Sequence, residues 1–392
     1  MRSGLTAAVT LAAALAVRAD EAAPKGPLPP GAGLAAKYLK DAGIAGDPAV
    51  IFHEDFEDDR MPARGWYDLR GWGKNQTVTR DEHMTGRGCL RLHFPKGSSG
   101  PFNRAPRLAP KQDRLHFRWY RKWGPSWDWG GKGDGNGHDA MLYIEPPGGA
   151  KHAYHEEARM RVYLENVSKV YGKWKRGFFG IAICSANRQD KAALFDSYKK
   201  HVAAGGKVMG TAEFRFPTVT GKRTPIRTGR WYCIETMVKM NTPGKADGRV
   251  RQWIDGVLTF DVGEIMLRDR ANPDLAVRQW RLGPYFHGGT PKDQTCYLDS
   301  LVIAKSYIGP VEKEPPEPRE AAVSKPAGGG APGAPSVEPK AGRDEKDAGR
   351  LFQMARRAER MGQGAVAASL YRQIIEKHPE TEAAGKAKSK LE

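Results

Sequence analysis

From Val50 onward the chain alternates apolar and polar residues at a period of two, in short runs broken by Gly, Pro, Asn and Asp. That period places successive side chains on opposite faces of a strand. The first such run is Val50-Ile51-Phe52-His53-Glu54-Asp55-Phe56-Glu57, and the last is Tyr297-Leu298-Asp299-Ser300-Leu301-Val302-Ile303-Ala304. No sustained exchange of helices and strands lies between them, which disfavours a parallel α/β fold. Lys191 to Ala204 is the one stretch there that reads as a helix. Residues 49–310 are therefore expected to form two packed antiparallel sheets.

The pattern changes on both sides of this region. Ala22 to Gly33 is rich in Pro, Gly and Ala and reads as part of a spacer over 20–48, with a short helix at Leu34 to Ala42. After Pro310, residues 311–346 are dense in Pro, Gly, Ala and Glu and read as a linker. Residues 347–392 return to helical spacing. Leu351, Met354, Ala355 and Ala358 form one stripe; Ala365, Ala368, Leu370, Tyr371, Ile374 and Ile375 form another. Gly362 to Gly364 separates them, and Pro379 follows. The pair resembles a tetratricopeptide-type helical hairpin, which buries its face poorly alone and so implies a protein partner or self-association.

Charge adds a partner class. The 63 Lys+Arg and 45 Asp+Glu give a net +18, and the residues after Pro310 contribute only 15 basic against 13 acidic, so about +16 belongs to residues 1–310. Such a surface attracts polyanions. Met1-Arg2, the apolar run Leu5 to Val17 and Val17-Arg18-Ala19 read as a signal peptide over 1–19 with cleavage after Ala19. That run is too short to span a membrane. A secreted or periplasmic location excludes nucleic acid as the expected partner and favours an acidic polysaccharide, uronate-containing or sulfated. Cys89, Cys184, Cys233 and Cys296 show no metal-ligand spacing and are expected to be buried small hydrophobes, with paired disulfides as the alternative.

Two strand patterns carry candidate chemistry. In Ala158 to Glu165, Met160, Val162 and Leu164 fall on one face; Arg159, Arg161, Tyr163 and Glu165 fall on the other. In Leu115 to Tyr120, residues His116, Arg118 and Tyr120 share a face in the same way. Arg pairs bidentately with carboxylates, and Tyr and Trp offer flat apolar faces to sugar rings. Cleavage by β-elimination needs a group to neutralise the uronate and a base for the proton beside its carboxyl. Arg159 or Arg161 suits the first task, and Tyr163, His138 or His155 the second. Arg161, Arg118, Tyr120, His116 and Trp129 are expected substrate-binding residues, whereas Arg107 is expected in a loop apart from them. No acidic pair of glycosidase type lies on a central strand. The glycine-rich run Gly130 to Asp139 lacks the context of a nucleotide-binding loop.

Trp231 to Lys245, followed by Asp247 to Gly256, resembles a strand–turn–strand signature of the alginate-lyase-like proteins of polysaccharide lyase family 14. That family belongs to the concanavalin A-like lectin/glucanase superfamily. Trp129-Gly130-Gly131-Lys132-Gly133 is similar to its Gly-Gly-Lys segment, and Leu298 to Ala304 to its closing strand. The likeness covers about residues 50–310. It implies an all-β, concanavalin A-like jelly-roll sandwich, here with a small C-terminal α-helical hairpin, and polysaccharide lyase activity. It carries Lys132 and Arg159 over as catalytic, the latter from the Ser-x-Arg pair where this chain has Glu157-Ala158-Arg159. The family's Tyr-x-Tyr pair has no counterpart; Tyr163 and Tyr171 are the nearest residues. No cofactor is required by this chemistry. A structural Ca²⁺ is a further implication, with Asp299 as its carboxylate ligand and Glu54 or Asp55 beside it.

Overall fold

The computed structural model describes residues 33–108, 111–130, 136–148, 160–166, 177–184, 188–201, 206–209, 213–286 and 288–311. It also describes 345, 348, 349, 351, 352, 355, 356, 359 and 364–391. The chain divides into two units, Met1–Pro315 and Pro316–Glu392.

Among the described residues the first unit is a sandwich of two eight-stranded antiparallel sheets, as the period-two pattern predicts, in the jelly-roll architecture that the family resemblance implies. The first sheet comprises β1 (Val50–Glu54), β3 (Gln76–Thr79), β4 (Cys89–Phe94), β6 (Arg114–Trp123), β12 (Trp231–Lys239), β13 (Gly248–Ile254), β14 (Val257–Ile265) and β16 (Gln294–Ala304). Its order is β14-β13-β12-β6-β16-β4-β3, with β1 also on β16. The second comprises β2 (Tyr67–Arg70), β5 (Phe102–Arg104), β7 (Asn136–Glu145), β8 (Met160–Asn166), β9 (Phe179–Cys184), β10 (Lys207–Met209), β11 (Glu213–Arg215) and β15 (Ala276–Phe286), ordered β10-β11-β9-β8-β7-β15-β5-β2. Sequence neighbours β6 and β7 lie in different sheets, as do β15 and β16, so the chain repeatedly crosses the core.

Alternate residues of both sheets meet between them. Leu115, Phe117, Trp119 and Trp123 of β6 face Ala140, Leu142 and Ile144 of β7, Val162 and Leu164 of β8, and Trp280 and Leu282 of β15 in one continuous core. One charged pair interrupts it. Arg121, on the core side of β6, donates from Nε to Asp139 Oδ1 at 2.8 Å and from Nη1 to the Tyr297 carbonyl at 3.0 Å. The β7–β8 register shifts between His138 and Ala140, and this irregularity lets Asp139 turn inward.

The expected helix inside this region is α1 (Lys191–Lys199), where Asp190 caps the first turn by accepting from the Ala193 amide at 3.0 Å. Cys89, Cys233 and Cys296 are buried free thiols, as their strand contexts suggested; the side chain of Cys184 lies outside the described residues. Burial pushes the Cys296 thiol up to about 11.

The spacer expectation is corrected over residues 33–48. Instead of one helix, 3-10 turns at Leu34–Lys37, Leu39–Asp41 and Ile44–Gly46 run across the outer face of the first sheet, broken at Lys40 by a φ of 49°. Leu34, Ala35 and Ile44 are buried there with Tyr120, Cys233, Val302 and Ile308. The Leu34 and Ala35 amides donate to the carbonyls of Tyr307 and Ile308. A Cβ on Gly33 would stand 2.4 Å from the Ile308 carbonyl oxygen, so this close approach requires glycine.

The second unit contains α2 (Gly364–Lys377) and α3 (Glu382–Lys388), with helical positions also between 345 and 359. Ala367, Tyr371 and Ile374 of α2 pack with Ala383, Ala384 and Ala387 of α3. The helix after Pro379 escaped the sequence reading because its apolar face is alanine alone. Thr381 caps it by accepting from the Ala384 amide. Among the described residues, no helix is long and apolar enough to cross a membrane.

Candidate functional site

The outer face of the second sheet carries a group of aromatic and cationic side chains. One transverse row is set by strand register. Tyr67 pairs with Arg104, Arg104 with Arg281, Arg281 with Met141, Met141 with Tyr163, Tyr163 with Ala182, and Ala182 with Arg215. Six interstrand steps at ~4.8 Å give roughly 29 Å. All these residues lie opposite the core positions of their strands, which follows from the pleat.

The middle of the row is apolar and tightly packed. Met141, Tyr143, Tyr163 and Ala182 form a cluster separate from the main core. Tyr163 stacks on His138, with ring centroids 4.3 Å apart and planes 15° from parallel. The Arg161 guanidinium stands 5.2 Å from the centroid of the same Tyr163 ring. Arg161 is 2% exposed and Tyr163 4%. Arg161 and Tyr163 share the outer face, as the alternation of Met160 to Leu164 required, and β7 brings His138 onto Tyr163.

The remainder comes from strands far apart in sequence. Arg281 donates from Nη1 to the Tyr143 hydroxyl at 2.8 Å. The Arg104 guanidinium lies 5.8 Å from the Tyr67 ring centroid and 5.7 Å from that of Tyr143. Gln279 Nε2 donates to the Tyr67 hydroxyl. Arg107 sits in a loop, as expected, but belongs to this face: its guanidinium is 5.5 Å from the Tyr67 ring centroid and its Nε is 3.7 Å from Glu145 Oε2. Sequence reasoning missed Tyr67, Arg104, Tyr143 and Arg281. The available signal was the Gln279/Arg281 alternation around Trp280. In β7, by contrast, apolar residues occupy both faces and hide the period.

Four expected binding residues are placed elsewhere. His116, Arg118 and Tyr120 do share a face, but it is the outer face of the first sheet, beneath the turns of residues 34–46 and the strand exit at 307–311. Arg118 is fully buried and donates to Asp41 Oδ2 at 2.7 Å. Burial would lower the guanidinium's pKa, yet the Asp41 carboxylate holds it above its usual value. The Val311 amide donates to the Tyr120 hydroxyl at 2.7 Å, and His116 Nδ1 lies 2.8 Å from Glu235 Oε1. Glu235 also accepts from the Ile308 and Gly309 amides. These groups fasten the unit's own terminal segments and leave no room for a sugar chain. Trp129 is likewise a core residue, 3% exposed and packed with Trp123 and Trp127. A Cβ on Gly177 would meet its ring at 2.7 Å.

Lys132, Arg159, His155 and Tyr171 lie outside the described residues. Asp299 is fully buried in β16, and its Oδ2 accepts from the Met84 and Thr85 amides at 2.6 and 3.0 Å. Burial pushes its carboxyl up to about 7, against the opposing pull of those amides. Glu54 is spent on Arg64, at 2.7 and 2.9 Å, and on the Trp66 indole N–H at 2.9 Å. Among the described residues no group of three or more His, Cys, Asp and Glu side chains could hold a metal. The amides engage only Oδ2, and Asp299 Oδ1 is buried without a hydrogen-bond partner among the described residues; of the two carboxylates expected beside it, Glu54 is the one held by Arg64 and Trp66.

No protein-family profile matches the chain, and no curated protein does. Solved structures do. The marine PL-14 alginate lyase from Aplysia kurodai matches with a TM-score of 0.50 at 13% identity, covering 65% of this chain and 99% of that one. An alginate lyase from Chlorella virus matches at a TM-score of 0.45 and 16% identity, over 65% of this chain and 99% of its own. An endo-β-1,4-glucuronan lyase from Trichoderma reesei matches at 0.41 and 12%, over 65% and 95%. In fold, the β unit of this chain is a jelly-roll sandwich similar to that of the Aplysia kurodai enzyme.

Proposed function

We propose that this protein binds an acidic polysaccharide of the uronate class across the outer face of its second sheet and cleaves it by β-elimination. The observation that carries the reading is Tyr163, set between the stacked His138 and the Arg161 guanidinium in a row that continues through Arg281 and Arg104. Arg161 pairs with the uronate carboxylate and makes the neighbouring C5 proton acidic. Tyr163 or His138 accepts that proton. Its electron pair forms the C4–C5 double bond as the C4–O bond breaks, and a proton passes to the leaving oxygen. The likeness in fold to an alginate lyase is consistent with this chemistry. The leader-like residues 1–19 support a secreted or periplasmic setting, and the C-terminal helix pair is a surface for a protein partner or a second copy.

The burial of Arg161 and Tyr163 favours a second reading, a lectin-like binding protein without turnover that uses the more open Tyr67–Arg104 end. One experiment separates the two. The purified protein is incubated with alginate, polyglucuronate and pectate, and the absorbance of unsaturated products is followed beside retention on gels cast with each polymer. The lyase reading expects product, reduced at least about 100-fold in Tyr163→Phe if Tyr163 is the base or in His138→Ala if His138 is. Retention without product establishes the lectin-like reading. No retention on any acidic glycan overturns both.

A further inference from the structure

We propose that Arg70, Phe102 and Arg281 form a second anion subsite, which takes the carboxylate of a uronate residue several sugars away from Tyr163 on the same chain. It rests on the polyuronate reading above. The Arg70 guanidinium is 5.8 Å from the Phe102 ring centroid and that of Arg281 is 4.7 Å from it. The two arginines come from strands on either side of β5, since β2 and β15 both pair with it. The Phe102 ring thus contacts both cations through its quadrupole.

Counter-charge is distributed unevenly on this face. Arg104 has Asp68 at 2.9 Å, and Arg107 has Glu145 at 3.7 Å. Among the described residues no carboxylate lies within ion-pair distance of Arg70 or Arg281; Arg281 donates instead to the Tyr143 hydroxyl. Arg70 is exposed and Phe102 half-buried, so an anion can reach them. Gly283 follows Arg281 on the same face of β15, and a Cβ there would meet only Met141 and Arg281 side chains at 3.6 and 3.7 Å. At position 283 the strand therefore adds no side chain beside Arg281. Two planar guanidinium forks without an acidic partner suit a carboxylate, which each can engage bidentately.

The geometry makes a length prediction. Phe102 on β5 and Tyr163 on β8 are three interstrand steps apart, about 14 Å. A short oligouronate bound at Tyr163 cannot touch Phe102, whereas a longer one reaches both. Affinity measured against a ladder of oligouronates should therefore rise in a step once the oligomer spans that distance. Arg70→Ala should shrink the step about tenfold, and Arg70→Lys should restore part of it. Arg87→Ala, the same charge loss on an exposed arginine near the first sheet, should leave the step intact. Methyl-esterified oligomers of equal length should show no step with the unmodified protein. An unchanged step in Arg70→Ala, an equal loss in Arg87→Ala, or a full step with esterified oligomers would overturn the subsite while leaving the binding face standing. Failure of the unmodified protein to bind any oligouronate would overturn both.

Discussion

Removing the Asp139 carboxylate should damage this protein more than any surface charge would. Arg121 and Asp139 are 0% and 3% exposed and bridge the two sheets from within the core. In Asp139→Ala the guanidinium keeps the Tyr297 carbonyl but loses its only carboxylate among the described residues. Burial by itself disfavours the charged form of Arg121, and Asp139 reverses this. Breaking one side of such a pair costs about 3–5 kcal/mol, a large part of a typical domain stability of ~5–15 kcal/mol. All 10 tryptophans lie between Trp66 and Trp280, so indole fluorescence in a urea titration reports on the β unit alone. The midpoint should fall at nearly constant slope. The double variant Arg121→Met/Asp139→Leu removes both charges and should recover most of the loss. A cost below about 1 kcal/mol for Asp139→Ala, or a double variant as unstable as the single one, would refute the argument. The position of Asp139 adds a functional consequence. It occupies the register shift that turns His138 outward onto Tyr163, so the stack at the proposed centre depends on the same pair.

Asp299 supplies a pH test. Its carboxyl, pushed up to about 7 in the folded chain, has an unfolded value near ~3.9. The folded state therefore binds the extra proton between these values, and stability should decline as pH rises from about 4 through 7. The decline has an upper bound of ~4 kcal/mol. Asp299→Asn keeps an oxygen for the Met84 and Thr85 amides and should flatten this part of the urea-midpoint profile; an unaltered profile would rule out Asp299 as its source. Trp129→Ala tests the reassignment of that residue to the core. It should cost about 3–5 kcal/mol while the folded protein keeps its retention on polyuronate gels, and loss of retention at full stability would restore Trp129 to the binding face.

The period of two by itself determined a great deal. It set the strand-rich region, its limits near Val50 and Ala304, and the division of Met160 to Leu164 into a core side and an opposite side carrying Arg161 and Tyr163. Those are local properties, since alternation is a direct consequence of the pleat. What alternation cannot tell is which sheet a strand joins, or what covers its second face. His116, Arg118 and Tyr120 show the same pattern as Arg161 and Tyr163, yet residues 34–46 and 307–311 fold over them, tethered by Asp41 and Glu235. Only long-range chain return decided that. The same holds for the row from Tyr67 through Arg104 and Arg281 to Tyr163, which joins strands more than two hundred residues apart by register alone. No spacing along one chain encodes a transverse row, because its members become neighbours only when the sheet is assembled.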